Sequence, residues 1–75
     1  MSKLIVIRVG YDDDAKVWYV THSDLFGVHA EGDTFDTLVE QIPDVVRDMM
    51  AANDSGFRGD VLIEVIAHTS ARVAA

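Results

Sequence analysis

The sequence predicts a small α+β domain with the element order β-β-β-α-β, in which a mostly antiparallel sheet carries one helix on one face. Three observations indicate this fold: a β-branched run near the start, a stripe of apolar residues at helical spacing in the second half, and another apolar run close to the end. The chain has 75 residues and no repeat or low-complexity linker. We therefore expect a single domain over residues 1–75.

The strands are predicted from β-branched or aromatic runs that are bounded by turn residues. The first covers Lys3–Val9 and the second covers about Lys16–Thr21, with Gly10 and an acidic turn between them. No crossover helix fits into that gap, so these two strands are expected to form a hairpin. A third short strand is predicted over Gly27–Glu31 and the last over Val61–Ala67.

The helix is predicted from a change of period after Gly32. The apolar residues that recur at three- and four-residue spacing are Phe35, Leu38, Val39, Ile42, Val45, Val46 and Met49. Asp33 or Thr34 is expected to accept hydrogen bonds from the first helical N–H groups, and Pro43 predicts a kink. Residues 53–56, Asn-Asp-Ser-Gly, are expected to end the helix because they enter the left-handed region easily.

Both faces of the first and last strands are apolar. In the first strand Leu4 and Val6 point to one face and Ile5, Ile7 and Val9 to the other. In the last strand Val61, Ile63 and Val65 lie opposite Leu62 and Ile66. A single helix covers only one face of a sheet, so the second face is expected to meet something outside this chain. The chain has no Cys and is short, which favours self-association as a dimer or larger assembly.

The charge balance restricts the class of partner. The chain has 13 Asp and Glu against 6 Lys and Arg, a formal net charge of −7. This balance argues against direct nucleic-acid binding and favours a basic protein surface. No apolar run approaches the roughly 20 residues of a membrane span, and the N-terminal apolar stretch is too short for a signal peptide. We expect no membrane association and a cytoplasmic location.

A row of acidic residues runs along the predicted helix, with one carboxylate at every fourth position. The row consists of Asp36, Glu40, Asp44 and Asp48. Like charges four residues apart on a helix cost about 0.2–0.5 kcal/mol per pair. Acids near the helix start favour its dipole, but Asp44 and Asp48 lie past the middle. The row is either a solvated face that keeps the protein soluble or a docking ridge for a basic partner.

The sequence contains no convincing catalytic or metal-binding motif. Asp12–Asp14 would attract a hard cation, but consecutive residues of a turn point apart. His22, Asp24 and His29 lie near one strand junction without a recognised zinc-ligand spacing. The serines form no nucleophile elbow and the glycines form no phosphate loop. We expect no enzymatic activity, no cofactor and no metal.

One stretch resembles a known family. "YDDDAKVW" followed by "SDLFGVHAEGDTFDTL" is similar to the acidic turn, aromatic strand and loop of the HicB-like antitoxins and their short relatives of unknown function. The matching residues are Asp24, Leu25, Gly27, Glu31, Gly32, Asp33 and Thr34. The resemblance implies a partial ribonuclease H-like fold, neutralisation of a small basic mRNA-cleaving toxin of the HicA-like kind, and self-association through the sheet.

The sequence departs from that family at defined places. Ser23 and Phe26 stand where prolines are common, and no ribbon-helix-helix or helix-turn-helix segment follows the last strand, so direct operator binding is not expected. The first hypothesis is a non-enzymatic antitoxin-type module. Its expected partner-binding residues are Glu40, Asp44, Asp48 and Phe26. The alternatives are an orphan homo-oligomeric domain that binds a small molecule at a subunit interface and, from the fold name alone, a metal-dependent nuclease.

Overall fold

A computed structural model of the protein describes residues 2–53, 59–71 and 73–74. Over these residues the element order is β1 (Ser2–Asp12), β2 (Val17–Ser23), β3 (Glu31–Gly32), α1 (Phe35–Ala52) and β4 (Asp60–His68). The strands form one mixed sheet in the order β3-β2-β1-β4. The β1–β2 and β2–β3 pairs are antiparallel, whereas β1 and β4 are parallel. The predicted α+β fold class is confirmed.

The hairpin between β1 and β2 is closed by the side chain of Asp12. Its carboxylate accepts hydrogen bonds from the backbone N–H groups of Asp14 at 2.9 Å and Ala15 at 3.2 Å. The N–H of Lys16, a residue with φ of 59°, donates to the Asp12 carbonyl at 2.7 Å. β1 therefore continues through Gly10 beyond the predicted end, and the Asp12 carboxylate serves the turn.

The third strand is shorter and later than predicted. Pairing with β2 covers Glu31–Gly32, so the predicted strand over Gly27–Glu31 is wrong in its bounds. Gly27 has φ of 89°, a left-handed turn that precedes the buried Val28. Because Val28 enters the core, the backbone pairs with β2 only afterwards, where the N–H of Val20 donates to the Ala30 carbonyl at 3.2 Å.

Helix α1 begins and ends through side-chain hydrogen bonds. Thr34 is the N-cap, and its hydroxyl accepts the N–H of Thr37 at 3.0 Å. The helix continues through Pro43, and a kink there stays a prediction. Asn53 follows the helix with φ of −86°, so it does not adopt the expected left-handed conformation, and its side-chain amide donates to the Met49 carbonyl at 2.7 Å. Residues 54–56, also expected at this end, lie outside the described residues.

The core lies between α1 and one face of the sheet. Its buried residues are Ile5, Ile7, Val9, Val28, Leu38, Ile42 and Val46. Trp18 extends it by an edge-on contact with Phe35, with ring centroids 5.5 Å apart. The predicted apolar stripe of the helix is therefore confirmed, and the structure shows that the face of β1 with Ile5, Ile7 and Val9 is the one that the helix covers.

The opposite face of the sheet carries no helix. Leu4 in β1 and Leu62 in β4 are direct neighbours in the parallel pairing, and they are 50% and 64% exposed. Val6 and Ile66 on the same face are half-buried. The sequence prediction that one helix leaves a second apolar face uncovered is confirmed for the described residues.

Candidate protein-binding site

The acidic row lies on the solvent side of α1. The helix buries Leu38, Ile42 and Val46 against the sheet, and its other side carries exposed Glu40, Asp44 and Asp48. Residues four apart rise about 6 Å along a helix axis, so the three carboxylates spread over roughly 12 Å. The structure thus places these three predicted partner-binding residues on one accessible surface, which we call the acidic strip.

An arginine interrupts the negative charge of this row. Arg47 donates to the carboxylate of Asp44 at 3.0 Å, and their side chains are 75% and 78% exposed. Such an exposed pair contributes about 0.3–0.5 kcal/mol at most. It compensates the charge of Asp44, so the negative field of the strip comes mainly from Glu40 and Asp48. The Asp44–Arg47 pair can be recognised in the sequence by its i,i+3 spacing. Sequence reasoning missed it because only residues four positions apart were considered.

Phe26 lies on a loop that is tied to the sheet. The N–H of Val6 donates to the Asp24 carboxylate at 3.0 Å, and the N–H of Asp24 donates to the Val6 carbonyl at 3.1 Å. The N–H of Leu25 donates to the hydroxyl of Ser23 at 3.1 Å. Phe26 follows these contacts with 85% of its surface exposed. These hydrogen bonds therefore fix the backbone of the loop, while the aromatic ring of Phe26 is exposed to solvent.

The same loop lies against the last turn of the helix. A β-carbon added to Gly27 would lie 2.8 Å from the sulfur of Met49, so the backbone beside Phe26 touches this side chain. Met49 directly follows Asp48 in the chain. The fold thus brings Phe26 and Asp48 to the same end of α1, whereas Glu40 lies about two turns away. Sequence reasoning proposed these residues but did not predict that Phe26 and Asp48 lie at the same end of the helix.

The alternative metal ligands do not converge in the described parts of the chain. Nε2 of His22 lies 3.9 Å from the Asp24 carboxylate, and both side chains are more than half exposed. Over residues 2–53, 59–71 and 73–74, no group of three or more His, Asp or Glu side chains is placed to hold a metal ion. Asp24 instead organises the loop, a role that sequence reasoning missed although an Asp next to a strand end is a common turn signal.

Fold and surface together define a small α+β domain with an exposed aromatic loop beside an acidic helix. The sequence model of the family described as "Domain of unknown function (DUF1902)" matches residues 4–75, and the chain belongs to this family. Comparison with curated proteins and with solved structures gives no match. In the described part of the chain, no helix is both long and apolar enough to cross a membrane.

Proposed function

We propose that this domain is an antitoxin-type protein-binding module that neutralises a small, basic, mRNA-cleaving toxin. The module is not an enzyme and takes no cofactor. It acts by covering the RNA-binding or catalytic surface of the toxin. The HicB-like resemblance of residues 11–38 motivates the toxin class, and family membership as such leaves the function open.

The observation that carries this proposal is the exposure of Phe26. A phenylalanine that is 85% exposed costs solubility and contributes nothing to the core of its own chain. Aromatic side chains that enter a pocket of the partner supply much of the binding energy of protein interfaces. The hydrogen bonds of Asp24 order the loop beforehand, which lowers the entropy lost on binding.

Charge supports a basic partner. The chain has a formal net charge of −7, and Glu40 and Asp48 lie on the accessible side of the helix. An RNA-cleaving toxin binds phosphates through Lys and Arg, and carboxylates bind the same cations. The acidic strip would therefore occupy cationic groups that RNA needs, while Phe26 anchors the complex. Long-range attraction would also speed association at low salt.

The test is binding to the product of the gene adjacent to the one that encodes this chain. Titration calorimetry and stopped-flow association are run on the intact chain, the Phe26→Ser variant and the Asp48→Lys variant. The expected results are an affinity loss of about 2 kcal/mol for Phe26→Ser and a slower association for Asp48→Lys that is most evident at low salt. RNA cleavage by the adjacent protein should stop on addition of this chain.

Asp13→Lys is the matched control for charge. It makes the same change of charge in the exposed turn after β1. That turn lies near the start of α1, because Tyr11 contacts Trp18 and Trp18 contacts Phe35. It is therefore at the other end of the helix from Asp48. Equal effects of the two lysine variants on association would show that only the net charge of the protein matters, and not the position of the acidic residues on α1. A Phe26→Ser variant that inhibits the toxin as well as the wild type does would contradict the proposal.

A further inference from the structure

The hydrophobic core is incompletely covered along β4. Ile63 and Val65 are the direct neighbours of Ile5 and Ile7 in the parallel pairing, and they point to the same side of the sheet, towards α1. Ile5 and Ile7 are at most 1% exposed, whereas Ile63 and Val65 are only half-buried. Burial therefore falls within the width of one strand, and the apolar layer under the helix stays partly accessible at this edge of the described chain.

A groove lies between α1 and β4 at the same edge. Its volume is about 370 Å³. Pro43, Val46 and Met50 line it from the helix, and Val61 and Ile63 line it from the strand. The walls are thus largely apolar, and the groove has room for apolar side chains that come from another molecule.

β4 is an edge strand. The sheet order β3-β2-β1-β4 gives it β1 as its neighbour, so over the described residues the outer edge of its nine residues pairs with no strand. An edge of this kind presents a row of N–H and C=O groups with which another extended segment can pair. Side chains of an added strand alternate between the two faces, so every second one would enter the groove under α1.

Two carboxylates lie on the other face of this edge. Asp60 and Glu64 are exposed, and they alternate with Leu62 on the face away from α1. Neither carboxylate forms an ion pair with a described residue, and Arg8 on the same face contacts His68 instead. Because opposite charges on neighbouring strands attract, a strand that pairs here would be stabilised by Lys or Arg beside these carboxylates.

We propose that the edge of β4 binds an extended segment of a partner protein as an added strand. Its aliphatic side chains would lie in the groove, and its Lys or Arg side chains would lie beside Asp60 and Glu64. This site goes beyond the proposed function, because Phe26 follows β2, on the other side of β1. It does not depend on whether the partner is a toxin.

Charge complementarity selects a different protein rather than a second copy as the occupant. Asp60 and Glu64 are four positions apart in the strand, so the added segment needs cations at the same spacing. The chain has six Lys and Arg, and no two of them are two or four positions apart. A second copy therefore has no segment with the required alternation of cations and aliphatic residues.

The test uses a fluorescein-labelled octapeptide in which Lys and Val alternate. The intact chain is titrated into it, and binding is followed by fluorescence anisotropy. We expect saturable binding that weakens with added salt. A peptide of the same composition with Lys and Val in consecutive pairs lacks the alternation and should bind at least tenfold more weakly. Amide exchange should slow at alternate residues of β4 when the first peptide is bound.

Variants of the chain test the charge and the groove separately. Glu64→Lys should weaken binding of the Lys–Val peptide about tenfold and allow an otherwise identical Glu–Val peptide to bind. Asp13→Lys is the matched control, since it makes the same change of charge in the exposed turn after β1 and should leave the affinity unchanged. Met50→Ser removes part of the apolar wall and should weaken binding of the Lys–Val peptide. Circular dichroism verifies that each variant is folded.

Four outcomes would overturn the proposal. The first is no saturable binding of the alternating peptide, and the second is equal affinity for the peptide with paired residues. The third is an equal effect of Glu64→Lys and Asp13→Lys. The fourth is protection of β4 amides in the free chain that rises with protein concentration, because a second copy would then be the occupant.

Discussion

Val6 and Asp24 exchange two hydrogen bonds, although Asp24 lies one residue beyond the end of β2. The N–H of Val6 donates to the Asp24 carboxylate at 3.0 Å, and the Val6 carbonyl accepts the N–H of Asp24 at 3.1 Å. A side chain thus continues the ladder between β1 and β2 by one step. The position of the loop that carries Phe26 is fixed by this pair.

Removal of the Asp24 carboxylate should loosen the loop without unfolding the domain. Asp24→Ala leaves the N–H of Val6 without its acceptor and is expected to lower the free energy of unfolding by about 1–2 kcal/mol in urea titrations. Amide exchange of Val6 should accelerate. Asp24→Asn keeps an acceptor oxygen and should lose less than half as much. Unchanged exchange at Val6 in Asp24→Ala would show that this hydrogen bond is not formed in solution.

A side chain at Gly32 should be poorly tolerated. Its β-carbon would lie 2.9 Å from the backbone nitrogen of Leu38, and backbone there belongs to the first turn of α1. Gly32→Ala is therefore expected to cost about 1–3 kcal/mol of unfolding free energy. Gly10→Ala is the matched control, because its β-carbon would meet the Thr21 methyl group at 3.2 Å and a side chain can yield. Equal losses in the two variants would contradict this reason.

Replacing an acidic residue of the row with lysine should raise the free energy of unfolding. Asp48→Lys replaces a repulsive pair with an attractive one four residues after Asp44, and it places a cation near the C-terminal end of the helix dipole. Thermal unfolding should show a gain of about 0.5 kcal/mol. Asp44→Lys is expected to gain less, since it removes the partner of Arg47. A destabilised Asp48→Lys would show that Asp48 contributes to the fold.

The protein should leave nucleic acid intact. Ribonuclease H-like hydrolysis needs carboxylates that converge on two metal ions roughly 4 Å apart. The residues that the structure describes form no such group. Incubation with RNA and with RNA–DNA hybrids, in magnesium or manganese, is expected to release no fragments. Metal-dependent cleavage that persists through repurification would contradict this prediction.

The helix and the main strands could be predicted because their signals are local. The apolar stripe has helical period, and the cap residue Thr34 precedes it directly. The exposed side of the acidic row follows from the same period, since Glu40 and Asp48 lie opposite the stripe. These parts of the fold and of the candidate site need no information about distant contacts.

The remaining features depend on contacts between distant segments. The parallel pairing of β4 with β1 depends on how the helix crosses the sheet, which no local pattern encodes. The late start of β3 depends on Val28, which enters the core rather than continuing a strand. The location of Phe26 at the same end of α1 as Asp48 depends on the approach of Gly27 to Met49. Periodicity alone contains none of these relationships.

The parallel pair of β1 and β4 at one edge of the sheet has a consequence for synthesis on the ribosome. β1 is synthesised first among the strands, yet one of its two neighbours in the sheet is β4, the last strand. The contact between Arg8 and His68 therefore joins residues that are 60 positions apart in the chain. Until β4 emerges, the nascent chain exposes one unpaired edge of β1, together with core residues such as Ile5 and Ile7. Contacts of long sequence separation also form slowly. During this interval the unpaired edge of β1 is accessible to a chaperone or to another copy of the chain made on the same messenger RNA.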